Sequence, residues 1–434
     1  MDGFIRKVYS LLMWAAQPFL RRKLKRRGEA EAGYLEAVDE RFGFYTQPAE
    51  ARSELVWVHA VSLGETRTAG ILLDALRARW PGLRVLLTQG TATGRAEGAS
   101  LLRAGDVQVW QPWDSEAAVK RFFIHFRPRL GVLLETEVWP NLVAQAVAQG
   151  VPMALVNARL SDKSLQQARR IAPLSRPAYQ ALAAVYAQSD SDAGRLRELG
   201  ATVQGVFGNL KFDATPDAAQ QAIGRQWRQA QGQPVLMLAS SREGEEDQFF
   251  KKITALALSA REQDAMNSVA GLPVQVLVVP RHPQRFDEVQ ALAEKHGLTV
   301  SRRSSWDGLP QPADVWLGDS LGEMALYYAM SDVALLGGSF EALGGQNLIE
   351  AAACGCPVIM GPHTFNFAEV SELAEAAGAA RRVANMDEAV RSARAMLSRP
   401  AAQQSAAAAS LQFAAQHRGA AANTVQALAT LLKD

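Results

Sequence analysis

Cysteine is almost absent: Cys354 and Cys356 are the two in 434 residues, spaced two apart in an apolar Ala/Cys/Gly stretch. With no second pair and no histidine cluster beside them, they exclude a disulfide framework and make zinc a poor reading. Two buried small residues of a protein in a reducing, cytoplasmic environment fit better. Net charge is nearly absent as well, at +2 from 46 cations and 44 acidic groups. Outside one short segment there is no basic concentration of the kind nucleic-acid binding needs. Long internal repeats, disordered low-complexity segments and apolar runs of membrane-spanning length are also missing. A cleaved signal peptide is not expected, because the N-terminal cations follow the apolar run and no small-residue cleavage site is seen. What remains is the composition of a soluble globular protein, 48% apolar and 21% charged, long enough for two separate cores.

The exception to the even charge is Arg21 to Arg27, RRKLKRR, six cations in seven residues directly after the apolar run Val8 to Leu20. Thirteen residues of helix rise only about 20 Å, against roughly 30 Å of bilayer hydrocarbon. Pro18 also interrupts the run. The segment reads as a helix lying in, or dipping into, an interface with its cations on anionic head groups. A solvated basic helix end, or a nucleic-acid arm, is the alternative reading.

Beyond it the chain alternates short apolar runs with helical stretches. LVWVHAV (55–61), LRVLLTQ (83–89), VQVWQP (107–112), RLGVLLE (129–135), MALVNA (153–158) and AVYAQ (184–188) form a first set. After a polar segment near Asn209 to Pro216 come VLMLAS (235–240), VQVLVVP (274–280), DVWLGD (314–319), VALLGG (333–338) and PVIMGP (357–362). Nearly continuous β-branched runs of this length predict parallel strands buried on both faces. Two successive βα arrays predict an α/β protein of two Rossmann-like domains facing a cleft, with ligands at the carboxyl ends of the strands. The arrays begin only near Leu55, so residues up to about Arg27 are expected to be dispensable for folding. The Ala/Gln-rich tail is expected to form a helix crossing back to the first domain.

Most residues able to do chemistry fall just past strand ends. Gly337, Gly338, Gly344 and Gly345 precede a helix expected to start near Asn347, with Glu350 about one turn inside. Clustered glycines and a helix N-terminus suit a phosphate, and Glu350 a ribose hydroxyl. Glu65 opens a helix after His59-Ala-Val-Ser-Leu-Gly, where it is either a charge complement to the helix dipole or a general base. Glu135-Thr-Glu137-Val-Trp-Pro-Asn141 puts two carboxylates and a tryptophan in one turn. Lys211, in Gly208-Asn-Leu-Lys211-Phe-Asp213, is either a solvated lysine or a cation at the domain boundary. Ala239 to Glu246, Val279-Pro280-Arg281 to Arg285, and Gly318 to Glu323 add loops at the second sheet's edge. Arg281, planar and permanently charged, suits a phosphate or a base. His282 and His363 read more weakly, as loop histidines that satisfy backbone groups.

Taken together, VSLGET, ETEVWPNL, NARLS, NLKFD, EGEE, VPRHPQRF, GDSLGE and GPHTFNF resemble the 3-deoxy-D-manno-octulosonic acid (Kdo) transferases of bacteria, members of the GT-B glycosyltransferases. The resemblance covers nearly the whole chain. It implies a membrane-associated segment at 1–30, an acceptor-binding domain at 31–208, a CMP-sugar donor-binding domain at 209–410 and a returning helix at 411–434. It implies CMP-Kdo as donor, the lipid A precursor (lipid IVA) as acceptor, no cofactor, no metal, and residence on the cytoplasmic face of the inner membrane among anionic lipids. Glu65 is then the catalytic base of an inverting transfer, assisted by Glu135 and Lys211. Donor contacts fall on Pro280 and Arg281, on Leu321, Gly322 and Glu323, and on Asn347, Leu348, Ile349 and Glu350. Two positions depart from the family pattern, Arg242 and Gln346, each standing where a histidine is expected. Competing readings are a membrane-associated GT-B transferase using a UDP-sugar, and a non-catalytic sugar-nucleotide-binding subunit. Donor trials separate the first, and a carboxylate base facing the cleft argues against the second.

Overall fold

The computed structural model describes residues 2–52, 54–264 and 274–432. It contains two compact units, Met1–Asp213 with His417–Asp434, and Ala214–Gln416. Each is built on a seven-stranded, all-parallel sheet. In the first unit β1 (Leu55–His59), β2 (Arg84–Gln89), β3 (Val107–Trp110), β4 (Leu130–Leu134), β5 (Met153–Ala158), β6 (Ala184–Ala187) and β7 (Val203–Val206) lie in the order β3-β2-β1-β4-β5-β6-β7. In register, His59 stands opposite Thr88 on one side and Leu133 on the other.

Alternate residues of the central strands enter opposite cores. Leu55 and Trp57 pack with Phe122 and Phe123, while Val56 and Val58 pack with Leu72, Leu73 and Leu76 of the helix Leu63–Arg79. Burial on both faces is why the strands carry no polar alternation, each buried Leu or Val contributing roughly 1.5–3 kcal/mol. The helix Ala420–Leu428 lies on the same core as the helix Leu63–Arg79, through Ala421, Val425 and Leu428.

The second unit comprises β8 (Val235–Ser241), β9 (Gln275–Pro280), β10 (Val300–Arg302), β11 (Val315–Leu317), β12 (Val333–Leu336), β13 (Val358–Met360) and β14 (Ala380–Arg382), ordered β10-β11-β9-β8-β12-β13-β14. The direction of chain progression reverses beside β1 in the first sheet and beside β8 in the second. Such switch points open a crevice at the carboxyl ends of the strands. In the second unit the chain after β12 runs hard against the end of β8: a Cβ on Gly337 would stand 2.2 Å from the Ser240 carbonyl oxygen. Only glycine fits there.

The units divide beyond the expected 208 and 410. Leu210 is buried in the first core, and the Asp213 carboxylate accepts the N–H groups of Gly419 and Ala421 at 2.6 Å each, so the turn Leu210–Asp213 stays with the first unit. The helix Pro400–Gln416 stays with the second.

The N-terminal segment also differs from expectation. It is two helices, α1 (Asp2–Ala15) and α2 (Gln17–Ala30), with Pro18 in the first turn of α2, where its missing N–H costs nothing. None of the described helices is long and apolar enough to cross a membrane. Nor is the segment detached from the fold. The Tyr9 hydroxyl donates to the Asp114 carboxylate at 3.0 Å, the Ser10 hydroxyl donates to Asn141 Oδ1 at 3.0 Å, and Leu24 is buried with Tyr34 and Trp110. Residues up to Arg27 are therefore not dispensable to packing.

Candidate functional site

The carboxylates predicted from the sequence converge beside the switch point of the first sheet. Ser62 caps the helix Leu63–Arg79, and Glu65 in its first turn answers as a capping box. The Glu65 carboxylate accepts the Ser62 hydroxyl at 2.8 Å and the Val61 N–H at 2.9 Å. Burial raises its pKa above the ordinary carboxylate value. The hydrogen bonds from Val61 and Ser62 oppose that shift, and the negative charge of Glu135 adds to it. Glu137 is raised as well, chiefly by burial and further by Glu65 and Glu135, while its hydrogen bond from the Trp139 indole at 2.8 Å lowers it. Three acidic groups sense one another here, and two titrate high.

Glu135 is held differently. It follows β4 with φ 60°, a left-handed conformation uncommon outside glycine, and is nearly buried. Its carboxylate stands 3.1 Å from Arg159 Nε and 3.6 Å from Lys211 Nζ. Lys211 thus lies in the first unit, against Glu135. The turn that carries it is fastened by a relay of amides. Asn157, at the end of β5 with φ 50°, accepts the Leu210 N–H through Oδ1 at 2.9 Å. Its carbonyl accepts from Gln188 Nε2 at 2.9 Å, Gln188 accepts from Asn209 Nδ2 at 3.1 Å, and Asn209 accepts the Lys211 N–H at 3.0 Å. Two left-handed non-glycine residues at adjacent strand ends mark stored strain, of order 1–3 kcal/mol each.

Arg159, Asn157 and Gln188 were not singled out from the sequence. The stretch Asn157 to Ser161 begins in the last residues of β5 and serves in the sequence only as part of a resemblance. Its partnership with Glu135 exists because β4 and β5 are neighbours, which no local spacing reveals.

In the second unit the expected donor residues stand at the carboxyl edge of the sheet, at a strand end, in loops and in the first turn of a short helix. Pro280 ends β9, and Arg281 donates its N–H to the Ser241 carbonyl at 3.0 Å. The charges of Arg281 and Glu350 both reach the buried Tyr328 phenol. Glu323 accepts from Arg303 Nη2 at 2.8 Å and from the Ser320 hydroxyl, and the Gly322 carbonyl accepts from Gln220 at 2.9 Å. Leu321 is exposed. The helix expected from Asn347 is only Ile349–Ala353, with Glu350 in its first turn and the Asn347 side chain accepting the Ile349 N–H at 3.1 Å. So short a helix carries little macrodipole. Leu348 and Ile349 are fully buried, which leaves their backbone as the part able to meet a ligand.

The EGEE and PRHPQR stretches have a structural role in this edge. Glu245, fully buried, accepts the N–H groups of Arg242, Gly338 and Phe340 at 2.9, 2.8 and 3.0 Å, tying the turn after β8 to the glycine loop after β12. Burial raises its pKa despite those three bonds. Glu246 is buried against Arg285 at 2.7 Å, which fixes the loop after β9 to the helix Glu245–Asp264.

Comparison with known proteins gives this arrangement a context. Residues 36–214 match the family described as 3-Deoxy-D-manno-octulosonic-acid transferase (kdotransferase). The 3-deoxy-D-manno-octulosonic acid transferase of Bordetella pertussis is 49% identical over 385 residues, covering 87% of this chain and 88% of that protein. Its counterpart in Haemophilus influenzae is 31% identical over 369 residues, 83% of each. Among solved structures a glycosyltransferase from Rickettsia africae matches with a TM-score of 0.53 at 12% identity, over 89% of this chain and 100% of that one, a likeness of fold alone.

Proposed function

The chain belongs to the 3-deoxy-D-manno-octulosonic acid (Kdo) transferase family, and on that premise we propose that it transfers Kdo from CMP-Kdo to lipid IVA, the lipid A precursor, with inversion. The observation that supports this reading is Glu65, a carboxylate of raised pKa beside a sheet switch point, with Glu135 and Glu137 as acidic neighbours. In the reaction an acceptor hydroxyl gives its proton to Glu65 as its oxygen attacks the anomeric carbon of Kdo. The bond from that carbon to the phosphate oxygen breaks, and CMP leaves with the electron pair. The sugar becomes oxocarbenium-like while negative charge grows on the phosphate. A base whose pKa is lifted toward neutrality suits the first proton transfer. Arg281 meets the donor phosphate or base, and Asn347, Glu350 and the backbone of Gly322 and Glu323 complete the donor contacts. Lys211 and Arg159 pair with Glu135, whose negative charge adds to the basicity of Glu65.

Attachment to the cytoplasmic face of the inner membrane falls to α1 and α2. Phe4, Val8, Leu11, Leu12, Trp14 and Phe19 are exposed there, next to the basic run Arg21 to Arg27. Apolar side chains beside cations are what an anionic lipid surface takes up.

The test is one assay of the purified protein with CMP-Kdo and lipid IVA, UDP-sugars run in parallel, and products resolved by mass. A lipid product heavier by one or more Kdo units is expected. Transfer from a UDP-sugar with CMP-Kdo inert would sink the donor assignment.

A further inference from the structure

Three helices of the first unit enclose a groove that the chemistry above leaves unused. It measures about 320 Å³ and runs between Val143 and Val147 of the helix Pro140–Ala148, Leu174 and Pro177 of the helix Ala172–Gln180, and Arg6 of α1. Three features point to its occupant. Apart from Arg6 the lining is apolar; it contains no carboxylate, and the charge of Arg6 also reaches the buried Asp114 behind it. Pro140 lines the groove and directly follows Trp139, whose indole is bonded to Glu137, so the groove adjoins the loop of the carboxylate cluster. Val147 in the lining and Trp139 next to Pro140 stay exposed, as do Phe4 and Val8 on the helix that supplies Arg6.

We propose that this groove takes one acyl chain of the acceptor lipid, with an anionic group of the same molecule at Arg6. The assignment rests on the lipid-acceptor reading given above. Apolar walls with a single cation at one side complement an anionic amphiphile, and burying a hydrocarbon chain there stabilises the complex in proportion to the apolar area covered. With a chain seated between the two helices, the sugar head of that lipid is carried toward Glu137 and Glu65. The groove thereby selects acylated acceptors and orients them.

Ala144 and Ala181 also line the groove, neither in the packed interior, so Ala144→Phe with Ala181→Phe fills it without disturbing the core. The double variant and wild type are compared on lipid IVA and on its deacylated disaccharide bisphosphate, each with CMP-Kdo in detergent, with thermal melting as the check on folding. The expected result is a KM for lipid IVA raised at least about tenfold with kcat little changed, and unaltered use of the deacylated acceptor. A wild type that uses only the acylated acceptor supports the same conclusion. Unchanged KM for lipid IVA in a folded variant overturns the proposal. Equal loss on both acceptors overturns it too. A wild type inert toward both acceptors removes the functional reading itself, which is a separate failure. As a second measurement, lipid IVA with a diazirine on one acyl chain is photolysed with wild type. Labelling within residues 140–147 and 173–181 is expected, and labelling confined to residues 4–19 overturns the groove in favour of a chain lying in the membrane.

Discussion

The side-chain oxygen of Asn157 accepts the backbone N–H of Leu210 at 2.9 Å, and Lys211, the next residue, reaches Glu135 at 3.6 Å. Strand β5 thus sets the position of a cation that stands on a turn more than fifty residues later. Asn157→Gly keeps the left-handed φ without strain but removes the acceptor. Leaving the Leu210 N–H unsatisfied costs about 1–3 kcal/mol, partly offset by water entry and relief of strain. We expect a folded variant whose kcat falls at least about tenfold with a KM changed far less. Asn157→Asp, which retains the acceptor, recovers most of the loss. Steady-state kinetics of both variants decide it: if Asn157→Gly and wild type share one kcat, Asn157 does not position Lys211.

Glu65→Gln tests the base. The amide still accepts the Val61 N–H, so the cap and the fold persist, whereas no proton is taken from the acceptor. Turnover is expected to fall by about two or more decades with CMP-Kdo affinity unchanged. Because burial lifts the Glu65 pKa, wild-type kcat should decline on the acid side at a pH above the ordinary carboxylate value of about 4.3. That limb should be missing from the glutamine variant. A variant with most of its activity and native donor affinity would show the base to be another group.

Asp114 couples the N-terminal helix to the loop of the acidic cluster. It accepts from Tyr9, Asn141 and Leu142, and burial pushes its pKa up to about 6 against those bonds. Raised in the folded state, the carboxyl takes up a proton on folding between its unfolded value near 3.8 and about 6. Its contribution to stability is therefore full at the acid end of that window and lost as pH rises through it. At roughly 1.4 kcal/mol per pH unit, wild type should lose about 2 kcal/mol relative to Asp114→Asn between pH 4.5 and 7.5. Urea unfolding of the two proteins at both values measures this, and parallel pH dependences would exclude Asp114 as the source.

Glu245 is expected to matter for donor binding without touching the donor. Glu245→Ala leaves three backbone N–H groups buried and unmatched at the junction of the β8 and β12 loops. Each costs about 1–3 kcal/mol, so a large drop in stability and weakened CMP binding should appear together. Arg281→Ala should weaken CMP with a smaller change in melting temperature, since the substitution keeps the backbone N–H bonded to the Ser241 carbonyl. Calorimetry with CMP alongside thermal melting separates the two. Loss of affinity in Glu245→Ala without loss of stability would make Glu245 a ligand contact.

How legible these features were in the sequence depended on burial symmetry. The strands buried on both faces, such as β1, β4, β5 and β8, announced themselves as apolar runs. The edge strands β7, β10 and β14 did not, because their residues alternate between exposed and half-buried or are too few to set a period. Glu65 and Glu135 were visible because each follows such a run directly. Asn157 lies at the end of such a run and Arg159 follows it, but their meaning lies in a neighbour brought by sheet order. Glu245 looked like a donor-loop residue and is a pin, since only the packed structure shows which backbone N–H groups need an acceptor. The N-terminal run read correctly as too short to cross a bilayer. Its grip on the first unit went unseen, because Tyr9 and Asp114 are partners far apart in sequence.

That grip changes what truncation should do. Removing residues up to Arg27 takes away Tyr9, the partner of a buried carboxylate, and Leu24, a member of the cluster with Tyr34 and Trp110. The truncated protein should therefore fold with a clear loss of stability, of order a few kcal/mol from one buried leucine and one hydrogen bond. A milder set of changes isolates the membrane role: Phe4→Ser, Leu11→Ser and Trp14→Ser, all at exposed positions, and separately Arg21, Arg22, Lys25 and Arg26 each to Gln. Neither set should alter melting by more than a few degrees. Co-sedimentation with anionic vesicles should drop for both sets, and the wild-type binding that survives high salt should be the apolar part, because salt screens the basic run. Variants that pellet like wild type at low and high salt alike would sink the assignment of α1 and α2 to the membrane surface, and wild-type binding indifferent to salt would leave only the apolar half of it standing.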